Sequence, residues 1–302
     1  MTDSAHLIDL SALPAPTVVE PLSYEEIYNR NAAAYRAQFV AIHPGQDWDP
    51  TNEADAAVID IQQVSEVELQ MRQRINDAAR ALLLAYAQQT DLTHLAANHE
   101  VARLVVDPGD ATAVPPRPAV LESDDRLRRR VQLSWSRLST AGPRRSYIYH
   151  ALSASPLVAD ADADSPAPCE VVVVIMSTAP DGTADASLLD TVLAALSDED
   201  RRPTSEELTV VSAQPVPYSI DADLEVSPGP DREVVRAASE ASAAAYATAQ
   251  RRLGEPVTLD GVYKALRVAG VRRVRLISPA ADIDTGWTEF PALQSLRVGL
   301  LP

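Results

Sequence analysis

The sequence predicts an α+β protein in which an N-terminal helical domain is followed by two small α+β sandwich domains. Three observations carry that prediction. Residues 54–89 contain neither glycine nor proline and step their apolar side chains at heptad spacing. Residues 107–118 are dense in proline and small side chains and read as a linker. Beyond them, strand patterns at 171–176 and 218–226 alternate with amphipathic helical patterns. Domains are therefore expected at 1–106, 119–214 and 215–302, with 107–118 joining the first two.

In the N-terminal domain, Tyr28, Ala32, Tyr35 and Phe39 recur at helical spacing and predict a helix over 24–39. The long helix over 54–89 places Ile61, Val64, Met71, Ile75, Ala78, Leu82 and Ala85 along one seam, interrupted by Glu68. At 1.5 Å per residue it would run ~50 Å, longer than a compact domain needs. Either a partner helix covers part of its stripe, or the helix over 24–39 does so within the chain. On the first reading Ile61, Val64, Met71, Ile75 and Leu82 are the partner-helix interface. A short helical pattern over 92–101 follows.

In the central domain Ser123 is placed to cap an arginine-rich helix running through Val131. Ala141-Gly142-Pro143 reads as a stop before a second helix over 147–153. The apolar run 170–177 reads as a buried central strand, Asp181-Gly182 as a turn, 184–197 as an amphipathic helix and 208–213 as another strand. In the C-terminal domain Tyr218, Ile220, Ala222, Leu224 and Val226 alternate with polar residues, as in a strand with one wet face. Pro228-Gly229-Pro230 ends it, and Asp231 caps an alanine-rich helix reaching Leu253. A helix over 259–269 stops at Gly270, and 271–277 returns as a strand. No element is assigned beyond Pro279.

Composition excludes several function classes. The net charge of -17 and pI near 4.6 oppose nucleic-acid binding, which needs clustered cations to displace counterions. With Cys169 as the single cysteine, no intrachain disulfide or cysteine zinc cluster can form, which fits a reducing cytoplasm. Asp3, His6 and Asp9 break up the first thirteen residues, unlike a signal peptide, and no apolar run approaches the ~18 residues of a membrane span. Aromatic residues make up only 5% of the chain, so its cores rest on Ala, Val, Leu and Ile.

The residues that could form catalytic or metal motifs also suit structural roles. Asp160, Asp162 and Asp164 alternate as carboxylates that can converge on a hard cation, the basis for a divalent-metal-dependent hydrolase. The run lacks the glycine and the terminal bidentate carboxylate of a calcium loop, since Ser165 and Val171 stand there. As a strand, it is expected to be a solvated edge resisting sheet-to-sheet pairing. His94, His99 and Glu100 have the wrong spacing for a zinc helix and read as polar helix ends, while His6, His43 and His150 have no evident partners. There is no nucleophile elbow, and the sole lysine, Lys264, follows no phosphate-cradling loop. Arg126, Arg128, Arg129, Arg130, Arg144 and Arg145 form a local basic run, read as a solvated helix face or as a contact for an acidic partner. No cofactor is expected.

The most specific segments are Arg72-Gln73-Arg74-Ile75-Asn76-Asp77-Ala78-Ala79-Arg80, Ala85-Tyr86-Ala87-Gln88 and Leu95-Ala96-Ala97-Asn98. With them go Ile8-Asp9-Leu10-Ser11, Leu13-Pro14-Ala15-Pro16, Leu138-Ser139-Thr140-Ala141-Gly142-Pro143 and Ala195-Leu196-Ser197-Asp198-Glu199-Asp200-Arg201-Arg202-Pro203. Pro228-Gly229-Pro230, Ala249-Gln250-Arg251-Arg252-Leu253-Gly254 and Ser278-Pro279-Ala280-Ala281-Asp282-Ile283 complete the set. Together they resemble the baseplate J-like proteins of contractile phage tails along most of the chain, the stretch 287–302 excepted. The resemblance implies a non-enzymatic wedge subunit in the virion tail baseplate, assembled in the host cytoplasm. Its implied partners are a second wedge protein, further copies of itself in a ring, and hub and sheath-proximal proteins, without nucleic acid or membrane insertion. It further implies N-terminal helices in a helical bundle, C-terminal domains bridging neighbouring wedges, and a part in triggering sheath contraction. A coiled-coil adaptor outside any phage is the alternative reading of the long helix.

Overall fold

The computed structural model describes residues 7–14, 16–139, 142–198, 201, 203, 205–229 and 231–301. Of the residues singled out above, Asp3, His6, Ala15, Thr140, Ala141, Glu199, Asp200, Arg202 and Pro230 lie outside this set. Two compact units are separated by their contacts, residues 8–98 and the chain from His99 onward.

The first unit is helical: after a 3-10 turn at Leu10–Ala12 come α1 (Tyr24–Ile42), α2 (Ala56–Ala81) and α3 (Gln89–Ala97). Side-chain oxygens close the open N–H groups of the first two helices. Ser23 accepts from Glu26 N at 3.4 Å and Asp55 from Ala57 N at 2.9 Å. Asp55 also accepts from the Trp48 indole at 2.9 Å, and Trp48 packs edge-on to Tyr35. Ala32, Trp48, Val58 and Ile61 form the core here, flanked by Tyr28, Tyr35 and Phe39. α2 stops well short of Gln89. A turn in which Ala87 N donates to Leu83 O (2.8 Å) redirects the chain, and Ala87 and Leu92 are buried beyond it. Leu82-Leu83-Leu84 is apolar on every side of a helix, so the pattern carried no mark of that turn.

The second unit begins with a two-stranded ribbon, β1 (Val105–Asp107) against β2 (Val120–Leu121). The proline-dense segment between them is crossed by a bridge pairing Asp110 with Arg117. Then follow α4 (Asp124–Leu133), a 3-10 turn, α5 (Arg144–Ala154), β3 (Val158–Asp164), β4 (Glu170–Ser177), α6 (Ala186–Leu196) and β5 (Glu207–Ser212). Their sheet runs β3-β4-β5, with β4 central, antiparallel to β3 and parallel to β5. The last elements are β6 (Gln214–Val226), α7 (Arg232–Gln250), α8 (Leu259–Leu266), β7 (Val271–Ser278) and β8 (Glu289–Leu300). Their sheet runs β7-β6-β8. Tyr218, Ile220, Ala222 and Leu224 point inward from β6 and pack with Val235, Ala243, Val262 and Leu266 of the helices.

Strand β8, in the region left unassigned by sequence, lies parallel to β6 over the whole register from Gln214↔Glu289 to Leu224↔Leu300. Pro291 and Gly299 spoil its alternation, so its strand character comes from pairing rather than from pattern. Only Ala213 separates β5 from β6, and the chain changes sheets across it. Ala213 N donates to Ile175 O (2.8 Å) and Gln214 N to Thr288 O (3.0 Å). Val174, Met176, Ala213, Leu253 and Phe290 form one cluster shared by the two sheets. Gly182 holds φ +74°, and a Cβ there would fall 2.3 Å from the Phe290 ring, so both backbone and space require glycine.

Two expectations about charge are corrected by the same contacts. The aspartate run is an edge strand, but it is not solvated at Asp160 or Asp162, which are 4% and 7% exposed. The arginine run is not a solvated face either. Arg129 donates to Asp160 at 2.6 Å, and Arg144 grips Asp162 in a bidentate pair whose Nε contact is 2.7 Å. Arg126 donates to the carbonyls of Leu152, Ser155 and Pro156, and Arg130 pairs with the buried Glu122 at 2.5 Å. The register of β3 on β4 sets Asp160 and Asp162 on the face of Met176 and Val174, which Leu253 and Phe290 cover, and a carboxylate taken from water needs a cation beside it. Asp164, past the end of that cover, remains exposed, as do Arg145 and the Asp125 partner of Arg128.

Candidate partner-binding face

The long helix α2 divides its apolar residues between two directions. At about 100° per residue, Val58, Ser65 and Asn76 share one side, while Val64, Met71, Ile75 and Leu82 fall within an arc of about 40° roughly 110° away. The first group is buried: Val58 packs in the Trp48 core, and Asn31 Nδ2 of α1 donates to Ser65 at 3.1 Å. The second group is exposed, Val64 at 60%, Met71 at 63%, Ile75 at 61% and Leu82 at 74%. Val67, which the heptad reading did not include, is exposed beside them. Ile61 parts from the other candidates, because it turns toward α1 and is 8% exposed.

Glu68, the interruption in the heptad, explains the division. It accepts from Arg30 (2.5 Å) and Asn31 (3.4 Å) on α1 and from Arg72 (2.8 Å) on its own helix. The Arg30 and Arg72 guanidiniums hold its carboxyl down at about 2. These contacts lie on the side of α2 that faces α1. Further along, Arg72 reaches Glu20 at 2.7 Å, while Asn76 exchanges two hydrogen bonds with the Glu20 backbone, at 3.1 and 2.9 Å. Tyr86 Oη donates to Leu13 O at 3.4 Å. Glu20 thus continues, along α2, the cover that α1 begins. The other side of α2 stays open from Val64 to Leu82, ~27 Å at 1.5 Å per residue.

Next to Val67 a groove of about 560 Å³ opens between Tyr24 of α1 and Gln62, Gln63 and Glu66 of α2. Nothing in this face resembles an acid–base pair or a nucleophile. What it offers is a straight apolar stripe with 3–4 spacing, the shape complementary to another helix. Sequence reasoning missed Glu20, Asn76 and Val67, whose roles depend on which side α1 covers.

Most of the remaining candidates among the described residues have structural partners. The Asp160 and Asp162 carboxylates are committed to Arg129 and Arg144, and Asp160 also accepts from Leu253 N at 3.1 Å. Among the described residues no three His, Cys, Asp or Glu side chains are grouped to hold a metal ion. His94 lies within α3, His99 packs edge-on to Trp135, and Glu100 pairs with Arg137 at 2.6 Å. His43 packs at a tilt against Phe39, and burial pushes His150 down to about 4. Among the described residues no helix is long and apolar enough to cross a membrane.

Comparison with known proteins points to one family. Residues 53–110 match the model of the Baseplate J-like N-terminal domain, and residues 139–212 match that of the Baseplate J-like central domain. The chain is 40% identical to Baseplate protein J of Escherichia phage P2 over 297 residues, 97% of either chain.

Proposed function

The chain belongs to the baseplate J-like family of phage-tail structural proteins, and from this premise we propose that it is a wedge subunit of a contractile-tail baseplate. It is a structural component of the phage tail baseplate and not an enzyme. The wedge reading goes further. The open face of α2 receives a helix of a second wedge protein, other surfaces join neighbouring wedges and further copies into a ring around the hub, and sheath-proximal proteins sit against that ring. Rearrangement of these contacts at the host surface releases sheath contraction.

The observation that carries this reading is the uncovered stripe of Val64, Met71, Ile75 and Leu82 on a helix whose other side is already filled. Fully burying such side chains is worth about 1.5–3 kcal/mol each. Several contacts of that size seat a helix firmly while leaving each one replaceable, which an assembly that must switch between two arrangements requires. Ile61 supports the face from within instead of meeting the partner.

Two other readings fall away. An adaptor outside any phage does not fit the family, and a metal-dependent hydrolase would need Asp160 and Asp162, which are held by arginines. Co-expression with the neighbouring tail genes, followed by light scattering and negative-stain microscopy, tests the proposal. The expected result is a defined hetero-oligomer or ring that Met71→Glu and Ile75→Glu dissociate while the variant chain stays folded. A lone monomer in the presence of every tail-gene partner would overturn it.

A further inference from the structure

The C-terminal sheet carries a second surface, with no part in the α2 reading. Residues 264–275 contain Lys264, Arg267, Arg272, Arg273 and Arg275 and no acidic residue. Those five positive charges leave the rest of the chain at -22, against -17 for the whole. All five side chains are exposed. Among the described residues, only Arg272 of the five enters an ion pair, with Glu225 at 3.0 Å. Across the sheet, by contrast, Arg297 is bound by both Asp221 and Asp223. The cations of this segment thus mostly stay out of ion pairs, because the nearest carboxylates on β6, Glu225 and Asp223, are bound by Arg272 and Arg297.

Strand β7 is also the outer strand of its sheet, in the order β7-β6-β8, so among the described residues no strand lies beside the backbone groups on one side of it. The helices pack on the inward face, where Val274 and Leu276 join the core. Arg273 and Arg275 stand on the opposite face, level with Glu225 and Asp223 of β6. An edge strand is normally protected by charge, because pairing with a like-charged copy of itself is repelled. The same charge favours a strand of opposite sign, which would complete the backbone ladder and place carboxylates beside the arginines.

We propose that the β7 edge, with Arg273 and Arg275 on its outward face, is a docking site for an acidic extended segment of a partner protein that adds to the sheet as a further strand. Recognition divides in the usual way for strand addition: main-chain hydrogen bonds supply attachment, and the guanidiniums select for carboxylates. Because the cations are exposed, the contact is salt-sensitive.

The test uses the full chain and two twelve-residue peptides, one of alternating Glu and Thr and the other with Gln in place of Glu. Binding is followed by fluorescence anisotropy and by amide hydrogen exchange. The Glu peptide is expected to bind and to slow exchange across 271–277, with the Gln peptide weaker by roughly tenfold or more. Arg273→Glu with Arg275→Glu is expected to abolish binding, and Arg273→Gln with Arg275→Gln, which guards against a folding defect from charge reversal, to weaken it. If neither peptide binds at about 0.15 M salt, the arginines are an edge guard only and the proposal fails. Binding that leaves the exchange of 271–277 unchanged, or that survives both double substitutions, overturns it equally.

Discussion

Arg130→Met tests whether the buried charges of the second unit act as a connected set. The Glu122 carboxylate is fully buried and the Arg130 side chain is 4% exposed, with 2.5 Å between their closest atoms. Removing one member of such a pair costs about 3–5 kcal/mol, because the other charge stays out of water. The lower end applies here, since Arg126 stands 3.3 Å from the second Glu122 oxygen and still offsets part of its charge. For a unit of roughly 200 residues, 3 kcal/mol corresponds to a fall in Tm of about 6–12 °C. Adding Glu122→Leu removes the stranded carboxylate and leaves only Arg126 without its carboxylate, so the double variant should lose at least about 2 kcal/mol less than the two single losses combined. It should not regain wild-type stability. Leu104 N then lacks its Glu122 acceptor and Ala102 O its Arg130 donor, each at about 1–3 kcal/mol. Guanidinium unfolding followed through Trp135 and Trp287 fluorescence measures all four corners of the cycle. Additive losses, or an Arg130→Met loss below about 1 kcal/mol, would refute the reasoning.

Two further perturbations probe other parts of the fold. Gly182→Ala forces a methyl against Phe290 at a left-handed backbone position and should cost about 2 kcal/mol or more, read as a lower unfolding midpoint. A loss under about 0.5 kcal/mol would mean that the shared core yields easily. His150, pushed down to about 4 chiefly by burial and then by Arg201 and Arg137, is neutral in the fold where the unfolded chain already takes up a proton. Its presence should therefore lower stability as pH falls from 6.5 toward 4 and have no effect above that window. His150→Gln should flatten the stability profile over that range in denaturant titrations, and an unchanged slope would exclude the half-buried imidazole as its source.

Much of the fold was legible because it is written in local periodicities. The alternation of Tyr218, Ile220, Ala222 and Leu224 requires one wet and one dry face, and the structure gives β6 both. Ser123 and Asp231 sit where open helical N–H groups need an acceptor, and they cap α4 and α7. The continuous apolar run of β4 needs cover on both sides, which a central strand receives.

What only the tertiary structure decided are matters of partnership between distant residues. The aspartates of β3 and the arginines of α4 and α5 each read as surface charge, because nothing local records that residues 129 and 160, or 144 and 162, meet. Strand β8 depends on β6 for its ladder, and the end of α2 on the burial of Ala87 and Leu92. The five candidate residues of α2 show the division within a single helix. Heptad spacing placed them on one seam, but the core of Ala32, Trp48 and Val58, with Glu68 held by Arg30 and Arg72, turns Ile61 inward and leaves Val64, Met71, Ile75 and Leu82 in water. A sequence fixes the period of its apolar residues, since that follows from backbone geometry, whereas the side that gets covered depends on which surfaces lose the most water when the chain closes on itself.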